Sequence, residues 1–474
     1  MDYETVIGLE THVQLKTRSK MWCGCANEFG APPNTHVCPV CLGLPGVLPV
    51  ANDEALRLTA LTGLLLNCTV ARYAKFDRKN YFYPDMPKNY QVTQYDKPST
   101  LNGYVEFEFN GAIARVRITR AHLEEDVGKN FHFDRNSGVD FNRAGVPLME
   151  IVSEPDLTSA DMAYEYLNAL KEILVYGGVS DCDMEKGMVR CDVNVSVRPK
   201  GQQELGAKIE IKNMNSFSGV RKALEYEIPR QIEVVKKGGT LIQSTRRWDD
   251  AGGITEEMRT KEHAHDYRYF PEPDLMPFQP TEAWLAEVKS RVVELPLARK
   301  QRFMRDYQLP APDAQTFVWD VPLGNYFERL VKEAKSPKAL ANWVINNLRA
   351  KLAEAQTSLA DLKFKPVAIL ELIDLVDTGK ISTKMAQEVF VEMFTTGEPP
   401  AKIVEKKGLA QVSDTGAIEK LCDEAIAANP GPAADYKAGK AAALNFLKGQ
   451  VMKLSKGKAN PALAGQILER KLKG

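Results

Sequence analysis

Carboxylate and imidazole side chains recur at alternate positions of several segments in the first half of the chain. The first segment, GLETHVQLKT, places Glu10 and His12 two residues apart, with Thr11 between them on the other face. Because alternate residues of a strand share a face, Glu10 and His12 would lie together. That face either meets water, as one face of an antiparallel sheet commonly does, or lines a chemical site.

Four later segments carry side chains of the same kinds. They are RAHLEEDVGK with Glu124 and Glu125, VPLMEIVSEPD with Glu150, VRCDVNV with Asp192, and AKIEIK with Lys208 and Glu210. If these faces converge with that of Glu10 and His12, they form a carboxylate pocket suited to Mg²⁺, with lysines to hold phosphate oxygens. Several independent solvated faces are the alternative, and the residues alone do not decide between the two.

A cysteine cluster follows the first strand. CGCANEFGAPPNTHVCPVC places Cys23, Cys25, Cys38 and Cys41 in a C-x-C pair and a C-x₂-C pair. Four thiolates converging from two such pairs suit a tetrahedral structural zinc ion. Free thiols are the alternative, and His36 could replace one of the four ligands. A disulfide framework is not expected in an intracellular chain of this length.

Aromatic and basic residues alternate between positions 75 and 96. The segment KFDRKNYFYPDMPKNYQVTQYD includes Lys79, Tyr81 and Lys88. Such a mixture can stack a base and neutralise phosphates, whereas a packed tyrosine-rich loop would have the same composition. The later motif KEHAHDYRYFPEPD contains the pair His263 and His265, which in so polar a run indicates a surface or cleft segment rather than a metal site.

Familiar nucleotide and acyl-transfer motifs are missing from the sequence. GQQELGAK lacks the Gly-Lys-Ser/Thr end of a P-loop, and no G-x-G-x-x-G opens a helix after a strand. No G-x-S-x-G elbow and no Gly/Ser-rich amidase-type nucleophile loop is present. Any nucleotide chemistry must therefore use another kind of site.

Composition and hydrophobic pattern predict three domains in a cytoplasmic protein without a membrane partner. The 474 residues are 44% hydrophobic and 26% charged, with no net charge and no apolar run that approaches a membrane span. Alternating segments such as 104–111 and 189–199 predict an α+β domain over residues 1–292, with a mixed, largely antiparallel sheet. Apolar residues at three- and four-residue spacing predict an all-α domain over 293–405.

The last domain, over 406–474, is expected to be small, helical and basic, with helices near 415–428 and 432–454. Nine Lys or Arg residues lie between Lys437 and Gly474, against the single acid Glu469. A basic tail of this type can contact phosphates, and a solvated helical face is the alternative.

Eight stretches spread over the whole chain closely resemble the family of B subunits (GatB) of aspartyl/glutamyl-tRNA amidotransferases. They are ETVIGLETHVQLKT, KFDRKNYFYPDMPKNYQ, ITRAHLEEDVGK, NRAGVPLMEIVSEPD, MVRCDVNVSVRP, IEIKNMNSF, DYRYFPEPDL and GQVMKLSKGKANP. The resemblance implies a cradle domain with the kinase and transamidase site, a helical domain and a tRNA-binding tail. It implies an ATP-dependent ligase that converts Glu-tRNA(Gln) to Gln-tRNA(Gln), or Asp-tRNA(Asn) to Asn-tRNA(Asn). An amidase A subunit would release ammonia from glutamine, and a small C subunit would complete the heterotrimer.

The resemblance also assigns roles to residues. Mg²⁺ is expected at Glu10, His12, Glu125 and Glu150, and the catalytic set also includes Glu124. Glu124, Asp192 and Glu210 are further candidates to contact the ion, either directly or through its ligands. Phosphate and substrate candidates are Lys79, Tyr81, Lys88, Asp192, Lys208 and Glu210; tail candidates for tRNA are Lys448, Lys453, Lys456 and Lys458. The cysteines resemble the structural zinc site that only some members carry. The competing interpretations are a non-catalytic, zinc-containing tRNA-binding scaffold and a ligase that acts without partners.

Overall fold

The chain is described here from a computed structural model, which covers residues 2–260, 267–409, 415–455 and 459–473. It forms two compact units, Met1–Leu297 and Ala298–Gly474. The first unit combines strands and helices, whereas helices dominate the described residues of the second. The α+β prediction is therefore confirmed.

The strands all lie in the first unit, among the residues that the structure covers. They are β1 (Tyr3–Gln14), β2 (Thr69–Val70), β3 (Asp77–Asn80), β4 (Tyr90–Thr93), β5 (Thr100–Phe109), β6 (Ala112–Glu125), β7 (Lys129–His132), β8 (Ser137–Asp140), β9 (Pro147–Ser153), β10 (Val189–Pro199), β11 (Ile209–Met214), β12 (Ser244–Asp249), β13 (Ile254–Thr260) and β14 (Phe270–Pro271).

One large sheet organises this unit. Its nine strands run in the order β13-β12-β11-β10-β1-β9-β6-β5-β2, and β1 lies between β10 and β9. All neighbouring strands are antiparallel except β11 and β12, which are parallel. A smaller sheet contains β14, β3 and β4, and β7 pairs with β8. The predicted mixed, largely antiparallel sheet is thus present.

Helices cover one face of the large sheet. The helices of this unit are α1 (Asp53–Leu65), α2 (Ala160–Tyr176), α3 (Phe217–Lys236) and α4 (Glu282–Ser290). Ile7 and Val13 of β1 are fully buried in one core with Leu61 of α1 and Tyr166 of α2. Alternation then places the even-numbered residues of β1 on the other face of the sheet, which we call the open face. Glu10 and His12 belong to it.

The second unit contains two separate hydrophobic cores, one between Phe303 and Val404 and one between Ile418 and Leu472. Its helices are α5 (Pro296–Asp306, which begins in the first unit), α6 (Ala311–Trp319), α7 (Val321–Val331), α8 (Pro337–Trp343), α9 (Arg349–Glu354), α10 (Ala368–Asp377), α11 (Thr383–Thr396), α12 (Pro400–Lys407), α13 (Thr415–Ala428), α14 (Pro430–Lys437), α15 (Ala442–Leu454) and α16 (Pro461–Lys473). The division of this unit at residue 405 stays a prediction. None of the described helices is long and apolar enough to cross a membrane.

Two helix predictions from the sequence have different outcomes. The helix that begins after Ser159 is confirmed as α2, because the Ser159 hydroxyl accepts a hydrogen bond of 3.1 Å from the Met162 amide. The single helix predicted over 432–454 is wrong, because the chain forms α14 and α15 with a break between them. Gly439 adopts a φ of +95° in that break, outside the helical region.

Candidate active site and metal centres

The first group of polar residues on the open face contains His12, Glu124 and Glu150. His12 Nε2 lies 3.3 Å from Glu124 Oε1 and 3.3 Å from Glu150 Oε2. The sheet register causes this approach, because His12 on β1 pairs with Glu150 on β9, which in turn pairs with His122 on β6. Glu124 follows His122 by two residues and so shares its face. One ligand atom from each of the three residues lies within 4.8 Å of the others, which is compatible with a shared metal ion.

Burial and mutual proximity perturb the pKa values in this first group. Burial raises the pKa of Glu124 to about 7, and the charge of Glu150 adds to that effect. Burial also opposes ionisation of Glu150. The electrostatic effects of His122 and His12, with the hydrogen bond from His12, outweigh burial and hold the pKa of Glu150 below its usual range. Burial disfavours the charged form of His12, yet its contacts with Glu150 and Glu124 raise its pKa to about 9. The two carboxylates therefore stabilise positive charge between them.

His122 is a further member of this region that was not among the predicted ligands. It is 2% exposed, and its Nε2 lies 3.8 Å from Glu150 Oε2. Burial lowers the pKa of His122 to about 4, so the ring is neutral at physiological pH. Its position two residues before Glu124 is the sequence signal that could have identified it.

The second group contains Glu10, Asp192 and Glu210, which also place one oxygen each within 4.8 Å of the others. Glu10 and Asp192 are register partners on β1 and β10. Lys212 forms an ion pair with Asp192, and its Nζ lies 3.3 Å from Glu210 Oε1. A cation thus already contacts two of the three carboxylates, which shows that the group can accommodate positive charge.

Neighbouring side chains hold two of these carboxylates in place. Asn194 Nδ2 donates a hydrogen bond of 2.8 Å to Glu10 Oε1. The Thr245 hydroxyl donates one of 2.8 Å to Glu210 Oε2. Such outer contacts fix the orientation of carboxylates that bind metals.

The four predicted Mg²⁺ ligands do not form one group. Glu10 lies in the second group, and His12 and Glu150 lie in the first, where Glu124 accompanies them. Glu125 is 3% exposed, and its Oε1 accepts hydrogen bonds from Lys88 and from the Val92 amide, the latter at 2.9 Å. As the neighbour of Glu124, it points to the other side of β6. Metal binding by Glu125 stays a prediction.

Lys79 and Tyr81 lie beside the first group. Burial lowers the pKa of Lys79, but the negative charges of Glu124 and Glu150 outweigh it, so the pKa is raised and Lys79 is protonated. Its Nζ is 5.0 Å from the ring centroid of Tyr267, whose ring packs edge-on against that of Tyr81. Burial, with a contribution from Glu124, also raises the pKa of Tyr81. The structure therefore brings these two predicted residues to the carboxylates, and Tyr267 joins them.

The remaining predicted residues lie apart from the first group. Lys88 binds Glu125, and Lys208 is an exposed residue next to the second group. Lys448 and Lys453 lie on α15 in the second unit, whereas Lys456 and Lys458 fall outside the described residues. His263 and His265 also fall outside them.

The four predicted cysteines converge. Their sulfur atoms all lie within 4.8 Å of one another, compared with roughly 3.8 Å between sulfurs around a tetrahedral zinc ion with Zn–S bonds of about 2.3 Å. The Cys38 amide donates a hydrogen bond of 3.1 Å to Cys41 Sγ, and Lys20 Nζ lies 3.7 Å from the same sulfur. The contact with Cys23 lowers the pKa of Cys41 to about 5, and Lys20 contributes to the shift. The site therefore fits a metal with thiolate ligands.

Fold and site together place the chain in a class of proteins that combine an α+β unit with a helical unit. In this class, the open sheet face bears two oxygen-rich groups of the kind that bind Mg²⁺, and a separate thiolate centre is of the kind that binds zinc.

Comparison with known proteins gives the family. Residues 5–286 match the family model described as the GatB/GatE catalytic domain, and residues 325–472 match that of the GatB domain. The chain is 53% identical to the B subunit of the aspartyl/glutamyl-tRNA(Asn/Gln) amidotransferase of Carboxydothermus hydrogenoformans, over 99% of both chains. It is 52% identical to the protein of that name from a Thermoanaerobacter species, over 100% of both chains, and 51% identical to that of Brevibacillus brevis, over 99% of both. The chain belongs to the GatB family.

Proposed function

We propose that this chain is the component of a tRNA-dependent amidotransferase that activates the side-chain carboxylate of a misacylated tRNA. The substrates would be Glu-tRNA(Gln), Asp-tRNA(Asn) or both, and the reaction would take place in the cytoplasm. The observation that supports this most is the meeting of His12, Glu124 and Glu150 beside the protonated Lys79 on one open sheet face. Family membership supplies the reaction class.

The chemistry explains why ATP is needed. A carboxylate is a poor acyl donor because oxide is a poor leaving group. In the proposed reaction, a carboxylate oxygen of the aminoacyl group attacks the γ-phosphorus of ATP, which gives an acyl phosphate and releases ADP. Ammonia then attacks the carbonyl carbon and phosphate leaves with the former carboxylate oxygen. Both the nucleophile and ATP are anionic, so the site must lower their repulsion.

The two carboxylate groups fit divalent cations by the chemistry of their donors. His12, Glu124 and Glu150 would hold Mg²⁺, and Glu10, Asp192 and Glu210 would hold a second cation. Bound Mg²⁺ would neutralise charge on the phosphates and on the substrate carboxylate. Histidine ligation needs the neutral ring, so binding would release the proton that the carboxylates stabilise on His12.

The residues around the first group have complementary tasks. Lys79 offers a positive charge near the carboxylates, where a transferring phosphoryl group needs one. Neutral His122 contacts Glu150 and positions it. Asp126, on the adjoining part of the face, accepts hydrogen bonds of 2.7 Å from Arg190 and 2.9 Å from Gln14. It thereby fixes the side chain of Arg190, which is the register partner of His12 on β10.

The four cysteines would hold a structural Zn²⁺, because four thiolate ligands leave no open position for chemistry. The segment between them and α1 contacts Lys88. A Cβ at Gly43 would lie 2.5 Å from Lys88 Cγ, so this glycine permits close contact with the residue that binds Glu125. Zinc would thereby hold this segment against Lys88 and Glu125, on the side of β6 that faces away from the first group.

The proposed partners follow from what this chain lacks. Its sequence has no amidase nucleophile loop, so an A subunit would hydrolyse glutamine and supply ammonia, and a small C subunit would join the two. The basic tail, including Lys448 and Lys453, would bind tRNA.

The test uses the complex reconstituted with its A and C subunits, given Glu-tRNA(Gln), ATP, Mg²⁺ and ammonium chloride in place of glutamine. Ammonium bypasses the glutaminase, so only the site on this chain is tested. Glu124→Gln should abolish formation of both amide and ADP while tRNA binding persists. The matched control is Glu106→Gln, since Glu106 lies on the same sheet in an exposed pair with Arg115. Equal turnover by wild type and Glu124→Gln would overturn the proposal and favour a scaffold.

A further inference from the structure

Lys20 is a buried lysine beside the cysteine centre. The residue is 1% exposed, and its Nζ lies 3.7 Å from Cys41 Sγ. The same Nζ donates a hydrogen bond of 3.2 Å to the Phe141 carbonyl oxygen. No carboxylate pairs with it among the residues that the structure describes. Because a buried ammonium group without a counter-charge is costly, the sulfur of Cys41, as a thiolate, is the group that compensates it.

The segment that connects β8 to β9 packs on Lys20. We call this segment, residues 141–146, the β8–β9 loop. The Met21 amide donates a hydrogen bond of 2.7 Å to the Gly145 carbonyl oxygen. A Cβ at Gly145 would lie 3.6 Å from Cys41 Cβ and 3.8 Å from Lys20 Cδ. The aliphatic stem and the ammonium group of Lys20 therefore both contact this loop.

The other side of the β8–β9 loop is bonded to the open face. The Gly145 amide donates a hydrogen bond of 2.9 Å to the Asp126 carbonyl oxygen, and the Asp126 amide donates one of 2.8 Å to the Val146 carbonyl oxygen. The Asp126 carboxylate binds Arg190, the register partner of His12. A continuous series of contacts thus leads from the cysteines through Lys20 to the neighbours of His12.

We infer that Lys20 is a positioning residue that couples the cysteine centre to the open face. Zn²⁺ with four thiolate ligands has a net negative charge, which would hold the ammonium group of Lys20 in place. The ammonium group then fixes the Phe141 carbonyl, and with it the β8–β9 loop and the backbone of Asp126. The inference rests on the zinc site of the proposed function, and it gives that site a second role besides its contact with Lys88.

Neutral hydrogen bonds also join the β8–β9 loop to the cysteine segment. The Phe141 amide donates one of 2.8 Å to Asn34 Oδ1, and the His36 amide donates one of 2.8 Å to Asn142 Oδ1. These bonds are exposed or only partly buried, and a neutral hydrogen bond contributes about 1 kcal/mol. The contact of Lys20 is buried and charged, so we assign the coupling to it rather than to Asn142.

The test measures hydrogen exchange of the Gly145 and Val146 amides in the complex reconstituted with its A and C subunits. Each sample is compared before and after a chelator removes zinc. In the wild type, removal should speed exchange about tenfold or more. In Lys20→Met, which keeps most of the aliphatic stem, exchange should already be fast with zinc bound, and removal should add about twofold at most.

A matched control separates this effect from the loss of any lysine. Lys16 Nζ lies 2.6 Å from Asp181 Oδ1 in an exposed ion pair, so Lys16→Met should respond to zinc removal as the wild type does. Lys20→Met should also release zinc to the chelator about tenfold faster or more, whereas Lys16→Met should not. Loss of packing around the stem alone would not change how the loop responds to zinc.

Three results would overturn the inference. Exchange that still depends on zinc in Lys20→Met would exclude Lys20 as the coupling residue. Exchange in the wild type that does not respond to zinc would exclude the coupling itself. A wild-type complex that binds no zinc would remove both the zinc site and the role of Lys20. Amide formation from Glu-tRNA(Gln), ATP and ammonium, measured in parallel, reports separately on carboxylate activation, since its failure would leave the exchange results unchanged.

A second variant decides the matter if Lys20→Met does not assemble. Asn142 is only half-buried, so Asn142→Ala should fold, and it removes the neutral connection to His36. Its exchange should keep most of the dependence on zinc, because Lys20 remains. Loss of that dependence in Asn142→Ala would assign the coupling to the neutral hydrogen bonds and overturn the inference.

Discussion

The ion pair between Lys88 and Glu125 offers a prediction whose size follows from burial. The Lys88 side chain is 11% exposed and that of Glu125 is 4% exposed. Lys88→Met keeps the length of the aliphatic chain but removes the ammonium group. Among the residues that the structure describes, the Glu125 carboxylate then retains only the Val92 amide as a partner. Removal of one partner of a buried pair typically costs about 3 kcal/mol or more, because a charge remains buried without compensation.

Hydrogen exchange of the amides in β4 and β6 measures this cost locally. A loss of about 3 kcal/mol corresponds to exchange that is roughly 150-fold faster under native conditions, if these strands open as a unit. The double variant Lys88→Met/Glu125→Gln has no buried charge, and Gln can still accept from the Val92 amide. Its exchange should return to within about tenfold of wild type.

The control is Arg115→Met, which breaks the exposed pair with Glu106 on the same sheet. Exposed pairs contribute little, so exchange should change by about threefold at most. Exchange in Lys88→Met that is no faster than in this control would contradict a cost of leaving the Glu125 charge unpaired. A double variant as labile as the single one would contradict it too, since the cost would then not come from the unpaired carboxylate.

Three further predictions concern the metal centres and the tail. Cys38→Ser should lower the zinc content, measured by elemental analysis, from about one per chain to near zero, with faster hydrogen exchange around Lys88. Full zinc content would contradict a four-thiolate site. Titration with Mn²⁺ should give two sites per chain, and His12→Ala should lower the Mn²⁺ affinity of one site about tenfold or more without affecting the other. An equal loss of affinity at both would mean one joint site. The double variant Lys448→Ala/Lys453→Ala should weaken tRNA binding and reduce its salt dependence, whereas the rate of amidation at saturating tRNA should be unchanged. Unaltered tRNA affinity would exclude these two lysines from the interface.

Local patterns made much of this site predictable. The alternation around Glu10 and His12 predicted one polar face, and the spacing of Cys23 to Cys41 predicted their convergence. Ser159 predicted the start of α2, because an N-cap hydroxyl acts on residues close in sequence. Each of these predictions depends only on contacts within a short stretch of chain.

Long-range register was the part that the sequence did not determine. Which carboxylates meet His12 depends on how β1, β9 and β6 pair, and a shift of one residue would exchange Glu124 for Glu125. The resemblance predicted Glu125 as a ligand and Glu124 as a further candidate, and it is Glu124 that the register brings to His12 and Glu150. The ion pair of Lys212 with Asp192 likewise depends on the pairing of neighbouring strands.

The most direct test of the account follows one oxygen atom. Glu-tRNA(Gln) labelled with ¹⁸O in the side-chain carboxylate is converted by the reconstituted complex with ATP, Mg²⁺ and ammonium, and the phosphate is analysed by mass spectrometry. If this chain activates the carboxylate as an acyl phosphate, each amide formed is accompanied by one phosphate that contains ¹⁸O, and Glu124→Gln yields neither. Amide formation with unlabelled phosphate would contradict carboxylate activation by ATP, and labelled phosphate from Glu124→Gln at the wild-type rate would place that chemistry outside the His12, Glu124 and Glu150 group.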